Sequence, residues 1–258
     1  MTKTAPKLAC ARNLKPSPTW ALFLDVDGTI LQFADTPNGV APSRHVGRVL
    51  RRLSATLGGA AALISGRTIE TLDRLFAPLT LPAAGLHGLE RRDAAGDLHL
   101  LGEAESLEHL RRPFADLAAA RNGVMLEDKG RALAIHYRMA PGEADSIRRL
   151  VEDLVRPSAD NLRIIHGKMV SEVKPRHADK GSAIHAFMGE APFLGRVPVF
   201  LGDDVTDEDG FKMVNGFDGV AIRVGQGSET AARYCLADVD QAIAWLAALP
   251  SEIRAADG

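Results

Sequence analysis

Strands and helices alternate at both ends of this chain, and a helix–strand–strand unit occurs twice in its middle. Together with near-continuous apolar runs of strand length, these patterns predict an α/β fold, a doubly wound, mostly parallel sheet interrupted by a small α+β insert. Length supports two parts, because 258 residues exceed the roughly 150 expected of one domain. Hydrophobic residues make up 46% and charged residues 25%, values that exclude a disordered, collagen-like or coiled-coil chain. A chain of this size buries enough surface to fold without disulfide or structural metal.

Residues 1–18 contain Lys3, Lys7, Arg12 and Lys15 but no unbroken apolar segment, so they read as a frayed, solvated tail rather than a secretory signal. TWALFLDV, residues 19–26, is apolar almost throughout, as expected of a strand covered on both faces. Ser43 is placed to cap a helix whose Val46, Val49, Leu50, Leu53 and Leu57 recur at helical spacing. A strand over 60–64, a helix over 68–76 and a short strand over 84–87 complete this part. From residue 89 the rhythm changes to a hairpin, LERRD to DLHLL.

The insert follows as helix 105–120 with Pro113 inside it, strands VMLED and ALAIHYR, helix 141–155, and strands LRIIH and VSEVK. Alternation resumes with a helix over 181–188, the strand VPVFLG ending at Gly202, a helix after Thr206, the strand GVAIRV and two closing helices around Ala231 and Ala242. The expected boundaries are therefore a tail over 1–18, an outer α/β core from 19–103 and 176–258, and an insert from 104–175. A cleft between the two parts is the expected ligand site.

A formal charge of −2, from 31 Lys+Arg and 33 Asp+Glu, gives no basis for nucleic acid or an acidic membrane as partner. No apolar run approaches the ~20 residues of a membrane span. Cys10 and Cys235 lie far apart and form no CxxC pattern, so neither a disulfide framework nor a zinc site is indicated, and a cytoplasmic protein is expected.

Two apolar strands end in acids, LDVDGT with Asp25 and Asp27, and LGDDVTDED with Asp203, Asp204, Asp207, Glu208 and Asp209. Ligands bind at the carboxyl ends of parallel strands, so both clusters fall on the functional edge if the strands are neighbours. Two like charges about 4 Å apart repel by roughly 4 kcal/mol at an effective dielectric near 20, so such a gathering needs a cation. Hard oxygen ligands suit Mg²⁺, which retains waters and bridges to phosphate. An EF-hand beginning at Asp25 would need Gly where Ile30 stands, which removes calcium. A solvated Asp/Gly turn and a phosphoryl-transfer site remain for the isolated DxDG.

The order of the other polar signals weighs between them. Ser65-Gly66-Arg67 follows the second strand, Lys180 opens a helix and the second acid cluster follows a later strand. This set, LDVDGT, ISGR, the Lys180 of DKGSA and GDDVTDED, resembles the four motifs of the haloacid-dehalogenase-like (HAD) superfamily of phosphohydrolases. Within it, GLHGLE, LEDKG, HYR and SEVKP are similar to the trehalose-6-phosphate phosphatase family.

That resemblance implies a HAD-like core under a mobile cap domain, with hinges near 101–104 and 174–178, and hydrolysis of trehalose 6-phosphate as the last step of trehalose biosynthesis. It implies Asp25 as nucleophile, Asp27 as general acid and base, and Ser65 and Lys180 as further catalytic residues. It assigns Mg²⁺ to Asp25, the Asp27 carbonyl and Asp203, with Asp207 an indirect partner. Sugar contacts fall to Glu127, Lys129 and Glu172, with Arg67, His87 and Glu90 secondary, although Glu127 and Lys129 also read as a hairpin charge pair. The partner is a small-molecule sugar phosphate, and association with a trehalose-6-phosphate synthase is left open. Another capped sugar phosphatase, acting on sucrose 6-phosphate or mannosyl-3-phosphoglycerate, and a non-catalytic sugar-phosphate sensor are the alternatives. Gly210, Lys174 and His177 depart mildly from the family pattern.

Overall fold

The computed structural model describes residues 8–32, 44–101, 104–167, 169–227 and 229–256. Ser43, expected to cap the first long helix, lies outside them. In chain order the elements begin with β1 (Ala9–Cys10), β2 (Trp20–Leu24), α1 (Arg44–Thr56), β3 (Ala61–Ile64), α2 (Ile69–Phe76), β4 (Ala83–Gly85), β5 (Glu90–Arg92) and β6 (Leu98–Leu100). They continue with α3 (Glu108–Ala119), β7 (Met125–Asp128), β8 (Leu133–His136), α4 (Ala144–Val155), β9 (Leu162–Gly167) and β10 (Val170–Pro175). The last are α5 (Lys180–Met188), β11 (Val197–Gly202), α6 (Glu208–Gly216), β12 (Val220–Val224), β13 (Tyr234–Leu236) and α7 (Val239–Ala256).

Two compact units result, one from Met1–His99 with Asp179–Gly258, the other from Leu100–Ala178. These limits differ by a few residues from 103/104 and 175/176. On the second side the reason is local, since Lys174 Nζ donates to the Ala178 carbonyl and ties 176–178 to β10. The helix that follows starts only at its own capping box, formed by Asp179 and Ser182.

The first unit is built on a nine-stranded sheet of order β1-β13-β12-β11-β2-β3-β4-β5-β6. Pairings from β1 to β4 are parallel, and β4 to β5 is antiparallel. The chain leaves β2 toward β3 and β4, then returns to β11 on its other side. The order therefore reverses at the β2/β11 pair, where α/β sheets place their ligands. All five residues of β2 are buried, as are all of β11 after Val197, because helices cover both faces. Helix α1 packs on α7, and α5 on α6. Phe23 stacks on Phe193 and tilts against Phe187, so truncating this fully buried ring would cost about 3–5 kcal/mol.

Residues 8–18 are not the frayed tail expected. Ala9–Cys10 joins the sheet beside β13 and Ala11 is buried. The helix expected around Ala231 is also absent. The segment forms a loop into β13, whose backbone groups are taken by the ladder with β12, and the Arg233 N–H donates to Ala221 O at 3.0 Å. A local Ala-rich helical preference loses to these sheet bonds.

The second unit has a four-stranded antiparallel sheet of order β7-β8-β10-β9, with its own apolar core. Leu133, Ile135, Tyr137, Val173 and Leu162 face α3 and α4 there, packed on Phe114, Ile147 and Val151. Alternation then sends Glu127, Ala134, His136 and Glu172 to the other face. No helix among the described residues is long and apolar enough to cross a membrane.

Candidate active site

Backbone geometry brings the two acid motifs together. Leu24 is in register with Leu201, and the Asp25 N–H donates to the Leu201 carbonyl at 2.9 Å. Past Asp25 the chain turns on itself, with Gly28 at φ +89° donating to Leu31 O at 2.7 Å, a conformation glycine adopts without steric cost. This turn separates two acids that lie only two positions apart.

Asp25 faces inward. Lys180, the first residue of α5, reaches Asp25 Oδ1 at 2.7 Å and Asp207 Oδ1 at 2.6 Å. All three are nearly inaccessible, Lys180 at 3%, Asp25 at 4% and Asp207 at 0%. The Thr29 hydroxyl lies 2.8 Å from Asp25 Oδ2 and 3.2 Å from Asp203 Oδ1, and its one proton bridges them. Asp207 Oδ2 accepts the N–H groups of Asp203 and Asp204, both at 2.9 Å. Both Asp207 oxygens are therefore engaged, and this carboxylate acts as the strut of the loop after β11. Gly202 makes room for it, since a Cβ there would sit 2.3 Å from Asp207 Cγ.

Oxygens of Asp25, Asp203 and Asp207 lie within 4.8 Å of one another. Three carboxyl groups face one ammonium, so the cluster carries two uncompensated negative charges when all three are ionised. Burial pushes the Asp25 carboxyl well up, opposed by Lys180. Asp203 is pushed up to about 6, first by burial and then by the charge of Asp207. Lys180 loses some of its proton affinity to burial, but Asp207 and Asp25 together raise it, and it stays charged. Hard oxygen donors short of positive charge fit a divalent cation such as Mg²⁺.

Asp27 faces away from that cluster. Arg67 grips it with two parallel bonds, Nε to Oδ2 at 2.6 Å and Nη2 to Oδ1 at 2.7 Å. Arg67, expected among the sugar contacts, is thus placed on the expected general acid. Ser65 is fully buried, and its Oγ accepts the Arg67 N–H at 3.1 Å. The His87 N–H donates to the Ser65 carbonyl at 2.9 Å, and its imidazole packs on Gly66, where a Cβ would fall 2.6 Å from Nε2. Glu90 accepts the Ile69 N–H at the start of α2. His87 and Glu90 are therefore built into the loop carrying Ser65 and Arg67.

In the second unit, Glu127, Ala134 and Glu172 are register partners across three strands, so both carboxylates stand on one face with a small residue between them. Lys129 Nζ donates to Glu172 Oε2 at 2.6 Å, and His136 Nε2 lies 2.8 Å from Glu127 Oε2. That histidine holds the Glu127 carboxyl below its ordinary range, with burial opposing. Lys129 thus bonds Glu172 across the sheet, and its charge also helps to lower the Glu127 carboxyl. Gly210 also finds a reason, because a Cβ there would meet the Phe200 ring at 2.4 Å.

Thr29 and His136 are the residues that sequence reasoning passed over. Each lies inside a quoted motif, LDVDGT and HYR, and neither has a local pattern that announces its partner.

The family model for trehalose-phosphatase matches residues 23–240. A probable trehalose-phosphate phosphatase of Sinorhizobium fredii is 46% identical over 206 residues, covering 80% of this chain and 78% of that protein. The trehalose-6-phosphate phosphatase of Escherichia coli is 39% identical over 239 residues, covering 92% and 89%. Among solved structures, the C-terminal domain of Candida albicans trehalose-6-phosphate phosphatase superposes with a TM-score of 0.84 at 21% identity, covering 95% of this chain and 99% of that one. The C-terminal domain of the Candida albicans trehalose synthase regulatory protein shares the fold with a TM-score of 0.71 at 12% identity, covering 94% and 100%. The fold alone therefore does not separate a catalyst from a regulator, and the side chains must.

Proposed function

Since this chain belongs to the trehalose-phosphatase family of HAD-like phosphatases, we propose that it hydrolyses trehalose 6-phosphate to trehalose and phosphate, with Mg²⁺, through an aspartyl-phosphate. The observation that carries this reading is the buried contact of Asp25 with Lys180 beside Asp203. A sugar-phosphate sensor has no use for a desolvated carboxylate held ready by an ammonium.

Asp25 attacks phosphorus, and the bond from phosphorus to the sugar oxygen breaks as Asp27 delivers a proton to that oxygen. Water then attacks the aspartyl-phosphate, Asp27 takes its proton, and phosphate leaves with Asp25 restored. Lys180 orients Asp25 and offsets charge on the phosphoryl oxygens, while Ser65 contributes a hydroxyl donor. Asp25, Asp203 and the Asp27 carbonyl would hold Mg²⁺, with Asp207 acting indirectly through the loop it braces. When bound, the ion supplies neutralisation of the phosphoryl charge. Asp27 needs its proton for the first step, so substrate must loosen its bonds to Arg67.

The inserted unit supplies the sugar contacts through Glu127, Lys129 and Glu172, whose acceptors and donor suit hydroxyls. Phosphate release with Mg²⁺ from trehalose 6-phosphate, sucrose 6-phosphate and glucose 6-phosphate tests the assignment, with trehalose 6-phosphate expected to lead by kcat/KM. Preference for another ester would reject the substrate, and undiminished turnover in excess chelator would reject the metal.

A further inference from the structure

The chain's two cysteines, far apart in sequence, are neighbours in the sheet. Strand β1 runs parallel to β13 with Cys10 as the register partner of Cys235, and the Ala9 N–H fixes that register by donating to Arg233 O at 3.1 Å. In-register residues of adjacent strands point to the same face at about 4.8 Å. That separation lies inside the Cα window of roughly 4.4–6.8 Å that a disulfide requires. Both thiols are free, Cys10 exposed and Cys235 partly so. Strand β1 has only two residues, and buried Ala11 keeps it docked beside β13. Cys235 is also in register with Arg223, and Arg223 with Gly202. One row thus leads from Cys10 to the residue preceding Asp203.

We propose that Cys10 and Cys235 form a dithiol site that low-molecular-weight disulfides such as glutathione disulfide convert to a cross-strand disulfide. The exposed Cys10 thiolate attacks one sulfur of the oxidant, forming a mixed disulfide and releasing one glutathione thiolate. Cys235 loses its proton to solvent and attacks the Cys10 sulfur, releasing the second glutathione. Two protein thiols are oxidised as one glutathione disulfide is reduced to two thiols. The product fastens β1 to the sheet.

The full chain, reduced and desalted, is incubated with glutathione disulfide. Thiols titrated after denaturation should fall from two to none, with the mass lower by two hydrogens and a peptide joining Cys10 to Cys235. Cys10→Ser and Cys235→Ser should each stop at a stable glutathione adduct. A lasting adduct on the unaltered chain, or a dimer linked through Cys10, overturns the proposal. A second measurement needs no oxidant, because phenylarsine oxide should bind the reduced protein one to one and shield both thiols from alkylation. Equal shielding in Cys10→Ser would refute the pairing.

Discussion

Replacing Asp203 with Asn should make the metal-free protein more stable while destroying its activity. Asp203 has a carboxyl raised from 3.8 to about 6, by burial first and by the charge of Asp207 second. Between those values the folded state binds more protons than the unfolded one, so stability falls as pH rises through the window. Asp203 therefore adds no penalty below about pH 4 and its full penalty above about pH 6. At 1.36 kcal/mol per pH unit, the penalty at neutral pH is of order 3 kcal/mol, and in a chain of this size that corresponds to roughly 6–12 °C in Tm. The assay is thermal unfolding of both proteins in chelator at pH 4 and pH 8. The variant should unfold higher at pH 8 and converge with the unaltered protein at pH 4. Saturating Mg²⁺ should raise the unaltered protein and leave the variant nearly unmoved, because an ion bound only to the folded state stabilises it. A variant less stable than the unaltered chain at pH 8 would refute the electrostatic account of the cluster.

Asp25→Asn should lower phosphate release by at least about 10⁴-fold with an unchanged circular dichroism spectrum, and retained turnover would remove Asp25 as nucleophile. Gly202→Ala should push Asp207 off the N–H groups of Asp203 and Asp204, reducing kcat by about 100-fold; kinetics on a folded variant check this. Glu172→Ala removes one charged hydrogen-bonding group, so kcat/KM for trehalose 6-phosphate should drop by roughly 10–100-fold. Hydrolysis of an aryl phosphate should stay within about twofold, and an equal loss on both esters would exclude a sugar contact.

The sheet and its functional edge could be read from sequence because buried parallel strands are nearly continuous apolar runs, and those of Trp20–Leu24 and Val197–Gly202 stop at acids. The insert was readable for another reason, its order of helix and strand pairs repeating across β7 to β10. Pairings between distant segments were not. Nothing near Cys10 announces Cys235, since a two-residue strand has no periodicity. Arg67 looks like any cation at a helix start, and its partner Asp27 becomes visible only when β2 and β3 are adjacent. Ala231 shows the converse error, a helix-prone residue whose neighbours' backbone groups are claimed by a sheet.

The division of labour between Asp25 and Asp27 follows from where the chain turns. Had β2 continued straight, both carboxylates would share one face, both would face Lys180, and one ammonium would have to balance four acids with Asp203 and Asp207. The turn at Gly28 instead leaves Asp25 buried with Lys180 and Thr29, and gives Asp27 a cation of its own in Arg67. Asp25 is thereby desolvated and fixed, as in-line attack on phosphorus requires. Asp27 remains partly exposed and its cation sits on a different loop, so it can exchange protons with solvent without disturbing the buried cluster. One short segment thus supplies a fixed nucleophile and a separate proton carrier because it bends between them.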